Sequence, residues 1–371
     1  MLNKIQDAEK YLNQKFLERD EIIHMMFVCL IARQHMLLIG LPGTAKSALI
    51  TSFSKLIEGG SYFQWLLTRF TTPEELFGAV SFKELEQGVY KRNTAGKLPE
   101  ANITFLDEIF KPTSAILNAL LTLINERVFY NGESPVKTPL MSVFGGSNEY
   151  PEEGEGLEAL FDRFLVRFEL DYITENNNFF SLLANDGVYV QEPTKLTIGE
   201  VEQLQMAAEN IMIPDEILQV IVKMREKLAN DGIRPSDRRF IQSLSLLRAN
   251  ALLSKRSEVT IQDLSILKNG LWETIDQKTR VIDIVDEFST DKVQKLIDKT
   301  LRASSELFET VKANPNPQTS TEVLGKSKEM IAELNKAITD NPQRSAEIQK
   351  AIDTIVRFNE NISNVLLGAS I

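Results

Sequence analysis

The chain has 371 residues, 43% of them hydrophobic and 25% charged, a balance of ordinary globular material in two or three domains. Its formal net charge of −11 is lopsided: residues 289–371 carry eleven acidic and eleven basic side chains, so residues 1–288 hold all of the excess. No Lys/Arg cluster with interleaved aromatics appears, which argues against a grip on a nucleic-acid backbone.

Residues 3–33 read as helical, with Ile5, Ala8, Leu12 and Phe16 at spacings of three to four. The apolar stretch at 22–32 is interrupted by His24 and is too short to span a bilayer. No basic-then-apolar leader pattern opens the chain. Cys29, the single cysteine, lies in apolar helix-like sequence and reads as a buried, inert thiol; with no disulfide possible within the chain, a reducing cytoplasm is expected. The only histidines, His24 and His35, have no Cys or carboxylate neighbours at ligand spacing, so a structural zinc site is not expected.

Residues 36–39 form an apolar strand that breaks into a loop and ends in Lys-Ser before a helical stretch, MLLIGLPGTAKS. Such a loop cradles phosphates: backbone N–H groups face the anion, Lys46 adds a point charge, and the Ser47 hydroxyl suits Mg²⁺. Gly40, Pro42, Gly43, Thr44 and Ala45 complete the loop. Ala45 stands where the general pattern has a second Gly, so position 45 is expected to have helical dihedrals and Gly43 to take the permissive turn. Leu49, Phe53, Leu56 and Ile57 mark the buried stripe of the next helix, Gly59-Gly60 stops it, and residues 62–68 are a second strand candidate. A third, ITFLDE at 103–108, ends in two carboxylates. Asp107 suits the Mg²⁺ shell, and Glu108 suits polarising a water for attack on a γ-phosphate. The two motifs, in order and about 60 residues apart, imply binding and hydrolysis of a nucleoside triphosphate. An amphipathic helix follows, marked by Ile116, Leu117, Leu120, Leu121 and Ile124, and 142–146 and 164–170 are further strands. Alternating strands and helices call for a parallel sheet in a three-layer α/β domain. Residues 80–98, with Gln87-Gly88 between strand-like runs, and 128–140, with Asn131-Gly132, read as hairpins. Beyond Thr197 the pattern is helical through 272, and Ser236 is placed to cap a helix starting at Asp237. Residues 289–371 read as three amphipathic helices, with stripes Ile331, Leu334, Ile338 and Ile348, Ile352, Ile355, broken at Asn314-Pro315-Asn316-Pro317 and Asn341-Pro342.

GLPGTAKS, TRFTTPEELFG at 68–78, LPEANITFLDEIFK at 98–111, LLTLINER at 120–127, GGSNEYP at 145–151 and EALFDRFLVR at 158–167 together resemble a MoxR-type AAA+ ATPase, and the SDRR at 236–239 resembles the RavA branch. The resemblance covers roughly residues 1–285. It implies an AAA+ P-loop core (1–190) with its strand order, an all-helical lid (195–285), and beyond it a C-terminal helical element (289–371). The hairpins near 80–98 and 128–140 would be the helix-2 and pre-sensor-1 inserts, projecting toward a ring's pore. Asn148 would hold the attacking water as sensor 1; a turn-favouring Asn before Pro151 is the plainer reading. Arg163 would reach the neighbouring subunit's nucleotide, with a salt bridge to Asp162 or Glu158 as the plainer reading and Arg127 and Arg167 as competitors. Arg238 would be sensor 2, reaching the nucleotide from the lid, with Arg239 the alternative.

The implied function is ATP hydrolysis with Mg²⁺ in a homo-oligomeric, hexameric ring that remodels protein clients beside a von Willebrand factor A (vWA) partner. A nucleic-acid motor runs against the acidic balance, and a nucleotide-switched scaffold would have no need of Glu108.

Overall fold

The computed structural model describes residues 1–132, 134–151, 157–184, 191–313 and 316–366. It divides into two compact units, Met1–Phe288 and Ser289–Ile371.

The first unit opens with helices α1 (Leu2–Lys15) and α2 (Asp20–Ala32), then strand β1 (Met36–Gly40) and helix α3 (Lys46–Ser54). β2 (Ile57–Glu58), β3 (Tyr62–Leu66), α4 (Pro73–Phe77), α5 (Phe82–Leu85), β4 (Ile103–Asp107) and α6 (Ser114–Glu126) follow. Next come β5 (Val128–Asn131), β6 (Ser134–Lys137), β7 (Ser142–Ser147), α7 (Glu158–Arg163) and β8 (Val166–Leu170). Five strands form one parallel sheet in the order β3-β4-β7-β1-β8. All six residues of β7 and the first four of β1 and β4 are buried, as expected of strands covered on both faces. That is why these strands read as continuous apolar runs rather than as alternating ones. The register pairs Met36 with both Phe144 and Val166, so Gly40, Asp107 and Ser147 end their strands along the same sheet edge. In open α/β sheets ligands bind at that carboxyl edge, beside a reversal of strand order.

The two expected hairpins differ in outcome. Residues 128–137 form one, β5 against β6, with Asn131 paired to Ser134 and Gly132 at φ +81° in the tight loop. Asn131 does not sit within the turn as expected. Its Oδ1 accepts from Arg92 N (2.7 Å) and its Nδ2 donates to Arg92 O (3.0 Å), copying a backbone pair and tying the two inserts together. Residues 80–98 are not a β-hairpin. Only an isolated antiparallel bridge, Val80 to Arg92, closes the segment, and its interior is helix α5. The Ser81 hydroxyl accepts from Glu84 N, so a cap outweighs a short strand-like run whose period is ambiguous.

After α8 (Asn176–Ala184) and β9 (Leu196–Thr197), the rest of this unit is helical: α9 (Ile198–Glu209), α10 (Asp215–Asn230), α11 (Asp237–Leu253) and α12 (Ile275–Ser289). Residues Ile261–Asn269, expected to be α-helical, instead form consecutive 3₁₀ turns. Ser236 caps α11 as expected, accepting from Arg239 N. His24 on α2 joins these helices to the N-terminal pair. Its Nδ1 lies 2.9 Å from Glu9 Oε1 and its Nε2 2.7 Å from Asn250 Oδ1. Asn250 Nδ2 donates to Asp263 Oδ1 (2.6 Å), which fixes the amide so that its oxygen faces the imidazole.

Among the described residues the second unit has three α-helices, α13 (Lys292–Ala313), α14 (Pro317–Asp340) and α15 (Ser345–Leu366), with a 3₁₀ turn, Pro342–Arg344, before the last. Ile297, Leu334, Ile348, Ile352 and Ile355 form one core cluster, and Val311, Val323 and Ile362 another. Asn314 and Pro315 lie outside the described residues; Asn316 caps α14 by accepting from Gln318 N (2.9 Å). Among the described residues no helix is long and apolar enough to cross a membrane.

Candidate nucleotide site

The loop between β1 and α3 is built from the end of a buried strand and the start of a helix. Thr44 Oγ1 donates to Leu41 O (2.9 Å), closing the loop on itself. Gly43 takes φ +86° as expected, but Ala45 does so too, at φ +65°, ψ +22°. The expectation of helical dihedrals at 45 therefore fails. Closing the loop onto α3 overrides an alanine preference worth about 1–2 kcal/mol. Lys46 opens the helix and folds back across the loop: its Nζ donates to Gly40 O (2.5 Å), Leu41 O (3.3 Å) and Asn148 Oδ1 (2.8 Å). Tyr172, just beyond β8, donates its hydroxyl proton to Pro42 O (3.1 Å).

The acidic pair comes from the end of β4. Ser47 Oγ donates to Asp107 Oδ2 at 3.3 Å, so a hydroxyl and a carboxylate stand side by side at the helix start. That donor set suits Mg²⁺, which prefers one or two carboxylates with hydroxyl and phosphate oxygens. Gly146 makes room for it: a Cβ there would lie 2.5 Å from Asp107 Oδ1. Glu108 is left-handed, φ +53°, a strained conformation for a non-glycine residue. Its Oε1 accepts from Asn148 Nδ2, completing a chain Lys46–Asn148–Glu108 across three strand ends. Burial raises the Glu108 carboxyl above the ordinary range, and the charges of Asp107 and Glu149 push the same way against Lys111 and Lys46. Burial lowers the Lys46 ammonium, with Asp107 and Glu108 opposing. Lys111 pairs with Glu149, flanking the chain on its outer side.

The remaining candidates lie elsewhere. α7 runs back across the sheet, so Arg163 stands near the amino end of β8, where Val166 N donates to His35 O (3.3 Å). Arg163 is half-buried. Its Nη1 is 3.8 Å from Asp162 Oδ2, and its Nε is buried with no hydrogen-bond partner among the described residues. Arg238 also faces this amino edge: its Nη2 donates to Asn125 Oδ1 (2.6 Å) at the far end of α6. Five residues of β1 separate that edge from the phosphate loop, roughly 15 Å. Arg238 therefore does not face its own phosphate loop, and the expectation of a lid arginine reaching down to it is corrected. Arg239, the alternative, is fully buried and donates to Asp162, Leu165 O and Gly270 O. Arg167 is buried too, capping Phe161 O (3.0 Å) and Phe164 O (3.1 Å) with its guanidinium 3.8 Å over the Phe161 ring. Arg127 ends α6, donating to Leu140 O (3.1 Å) and to Arg33 O. Both competitors of Arg163 are thus occupied by backbone carbonyls.

Gly146, Tyr172, Lys111 and Glu149 were not singled out from sequence. Lys111 and Glu149 lie inside the quoted motifs, one three residues after Glu108 and one immediately after Asn148. Nothing local signals Tyr172.

A phosphate loop after β1, an acidic pair after β4 and an amide after β7, on a sheet of this strand order, define a P-loop ATPase of the AAA+ class. The chain belongs to its MoxR-type family. Residues 3–209 match the MoxR domain of MoxR-vWA-beta-propeller ternary systems, and residues 216–285 match an AAA lid domain. Among relatives, the uncharacterised protein MJ0812 of Methanocaldococcus jannaschii is 35% identical over 99% of this chain and 100% of its own. MJ0079 of the same organism is 40% identical over 81% of this chain and 78% of its own. The chaperone MoxR1 of Mycobacterium tuberculosis is 25% identical over 76% and 78%. A crystal structure of a candidate ATPase from Cytophaga hutchinsonii shares the fold, with a TM-score of 0.63 at 18% identity over 77% of this chain and 94% of that one.

Proposed function

We propose that this protein hydrolyses ATP in a closed ring of its own subunits, six in number, and couples turnover to remodelling of protein clients with a vWA-domain partner. One observation carries the reading. Lys46, Ser47, Asp107, Glu108 and Asn148 converge at one sheet edge, while Arg163 and Arg238 stand at the opposite edge of the same subunit. A site needing a guanidinium at the γ-phosphoryl group is therefore completed by a neighbour.

The geometry supports a role for each residue. Backbone N–H groups of residues 43–46 and the α3 N-terminus bind the phosphates, with Lys46 exchanging its carbonyl and amide partners for phosphate oxygens. Ser47 and Asp107 would hold Mg²⁺, which when bound neutralises phosphate charge. Glu108, its carboxyl raised and held by Asn148, accepts a proton from the attacking water as Asn148 orients it. Arg163 of the neighbour stabilises charge developing on the transferred group, with Arg238 beside it. The vWA partner is supported by the systems in which the matching MoxR domain occurs, and chaperone action by the name of the mycobacterial relative. The run Ser236–Arg239 supports the RavA-like branch.

Mixing two inactive variants tests the shared site. Arg163→Ala keeps the phosphate loop, Lys46→Ala keeps the arginines, and each alone is expected to fall by about 10³-fold or more in turnover. Mixed and allowed to exchange, they form interfaces pairing an intact Lys46 with an intact Arg163, so steady-state ATP hydrolysis reappears. Mixed rings without recovered turnover would overturn the shared site.

A further inference from the structure

Arg163 and Arg238 come from different parts of the chain, one ending α7 beside the sheet and the other opening α11 of the helical region. Arg239 joins those parts. Its Nη1 donates to Asp162 Oδ1 (2.9 Å) and Asp162 O (3.1 Å), and its Nη2 to Leu165 O (2.9 Å) and Gly270 O (2.6 Å). Nε donates to Gly270 O as well (2.9 Å), so all five N–H donors are used and none is left for a nucleotide. The acceptors are carbonyls at the ends of two helical segments, α7 (Asp162 and Leu165) and the 3₁₀ run Ile261–Asn269 (Gly270), and a carboxylate on the residue next to Arg163. Helix ends leave such carbonyls unsatisfied, and here a side chain from α11 satisfies them. Asp162 lies between the two arginines, 2.9 Å from Arg239 and 3.8 Å from Arg163.

We infer that Arg239 is a positioning residue: its buried guanidinium fuses the end of α7 to the start of α11, so that Arg163 and Arg238 are presented to the neighbouring nucleotide as one block. The inference rests on the shared-site reading above. A rigid planar fork is required. A lysine at 239 offers three donors on a single nitrogen and cannot span residues 162, 165 and 270 at once.

The pair of variants above supplies the test, because every interface that recovers activity has one member giving the phosphate loop (Arg163→Ala) and one giving the arginines (Lys46→Ala). Arg239→Lys added to the arginine-giving member should lower the restored turnover about tenfold or more, since small misplacement of a positioning group is costly. The same change in the loop-giving member, whose own Arg163 is already absent, should leave the restored turnover within about twofold. Equal loss in both placements, or no loss when added to the arginine-giving member, overturns the inference. Failure of the parent pair to recover activity instead overturns the shared site itself. Ring size and thermal midpoint are measured for each variant. If Arg239→Lys does not fold, Asp162→Ala carries the same test, because it leaves the backbone carbonyls of residues 162, 165 and 270 in place and removes only the side-chain acceptor between Arg239 and Arg163. It must show the same one-sided loss, and a symmetric or absent effect overturns the inference.

Discussion

The two edges of the central sheet are built on opposite principles. At the carboxyl edge Ser47, Asp107, Asn148 and Glu108 bond side chain to side chain, Lys46 divides its donors between Asn148 and two loop carbonyls, and Ala45 and Glu108 hold left-handed backbones that neither residue favours. At the amino edge Arg167 and Arg239 are buried and spend their donors on backbone carbonyls. The first arrangement trades partners readily when an anion arrives, whereas the second is a fixed mount. A binding edge of exchangeable contacts and a presenting edge of permanent ones are what a subunit needs if it receives a nucleotide on one side and serves a neighbour's on the other.

The contrast can be broken at either edge. Glu108→Gln acts on the exchangeable side: turnover should fall by about 10²–10⁴ while ATP binding persists, read by steady-state hydrolysis against direct nucleotide titration. Arg167→Met acts on the mount. It orphans the carbonyls of Phe161, Phe164 and Trp272 and should lower unfolding free energy by about 3 kcal/mol, checked by urea denaturation. Ala45→Gly relieves the loop backbone and, net of the entropy that glycine adds to the unfolded chain, should stabilise by about 0.5 kcal/mol in the same urea denaturation.

The gentlest break is in pH. Burial pulls the His24 imidazole down, but hydrogen bonds to Glu9 and Asn250 and the charges of Glu9 and Glu21 outweigh it, so it titrates above the ordinary 6.5. Both ring nitrogens face acceptors, as an imidazolium requires. A raised pKa in the folded state gives stability that is full below 6.5 and fades as pH rises through the raised value. The thermal advantage of the natural chain over His24→Gln should shrink in that direction, and an advantage growing with pH would contradict the assignment. His35 has the opposite sign. Burial takes it down to about 3, and Val143 N donates to its Nδ1 while its Nε2 faces Ile124 O, so it stays neutral where His24 is charged.

The carboxyl edge was largely legible in the residues. A buried parallel strand is a continuous apolar run, and the residues that punctuate β1 and β4 are the ones that meet at their ends. The hairpin at 128–137 was legible because Gly132 has few alternatives, and the three helices of the second unit because their apolar stripes keep a helical period. What escaped depends on relations that no short window contains. Ala45 follows loop closure rather than propensity. The segment near Phe82 was decided by one serine cap. Arg238 and Arg239 are neighbours in one helical turn, and which of them is buried depends on where Gly270 and Asp162 arrive from elsewhere in the chain. Gly146 matters only because Asp107 lies on the adjacent strand.

The backbone of Glu108 has a consequence for descent. A left-handed glutamate costs on the order of 1–3 kcal/mol, which glycine at the same position would largely avoid. Drift toward stability therefore runs against the carboxylate in every generation, and only the demand for turnover opposes it. In a descendant relieved of that demand, position 108 is where erosion should begin, with glycine or asparagine the first replacements to accumulate, well before the better-packed lysine loop beside it changes.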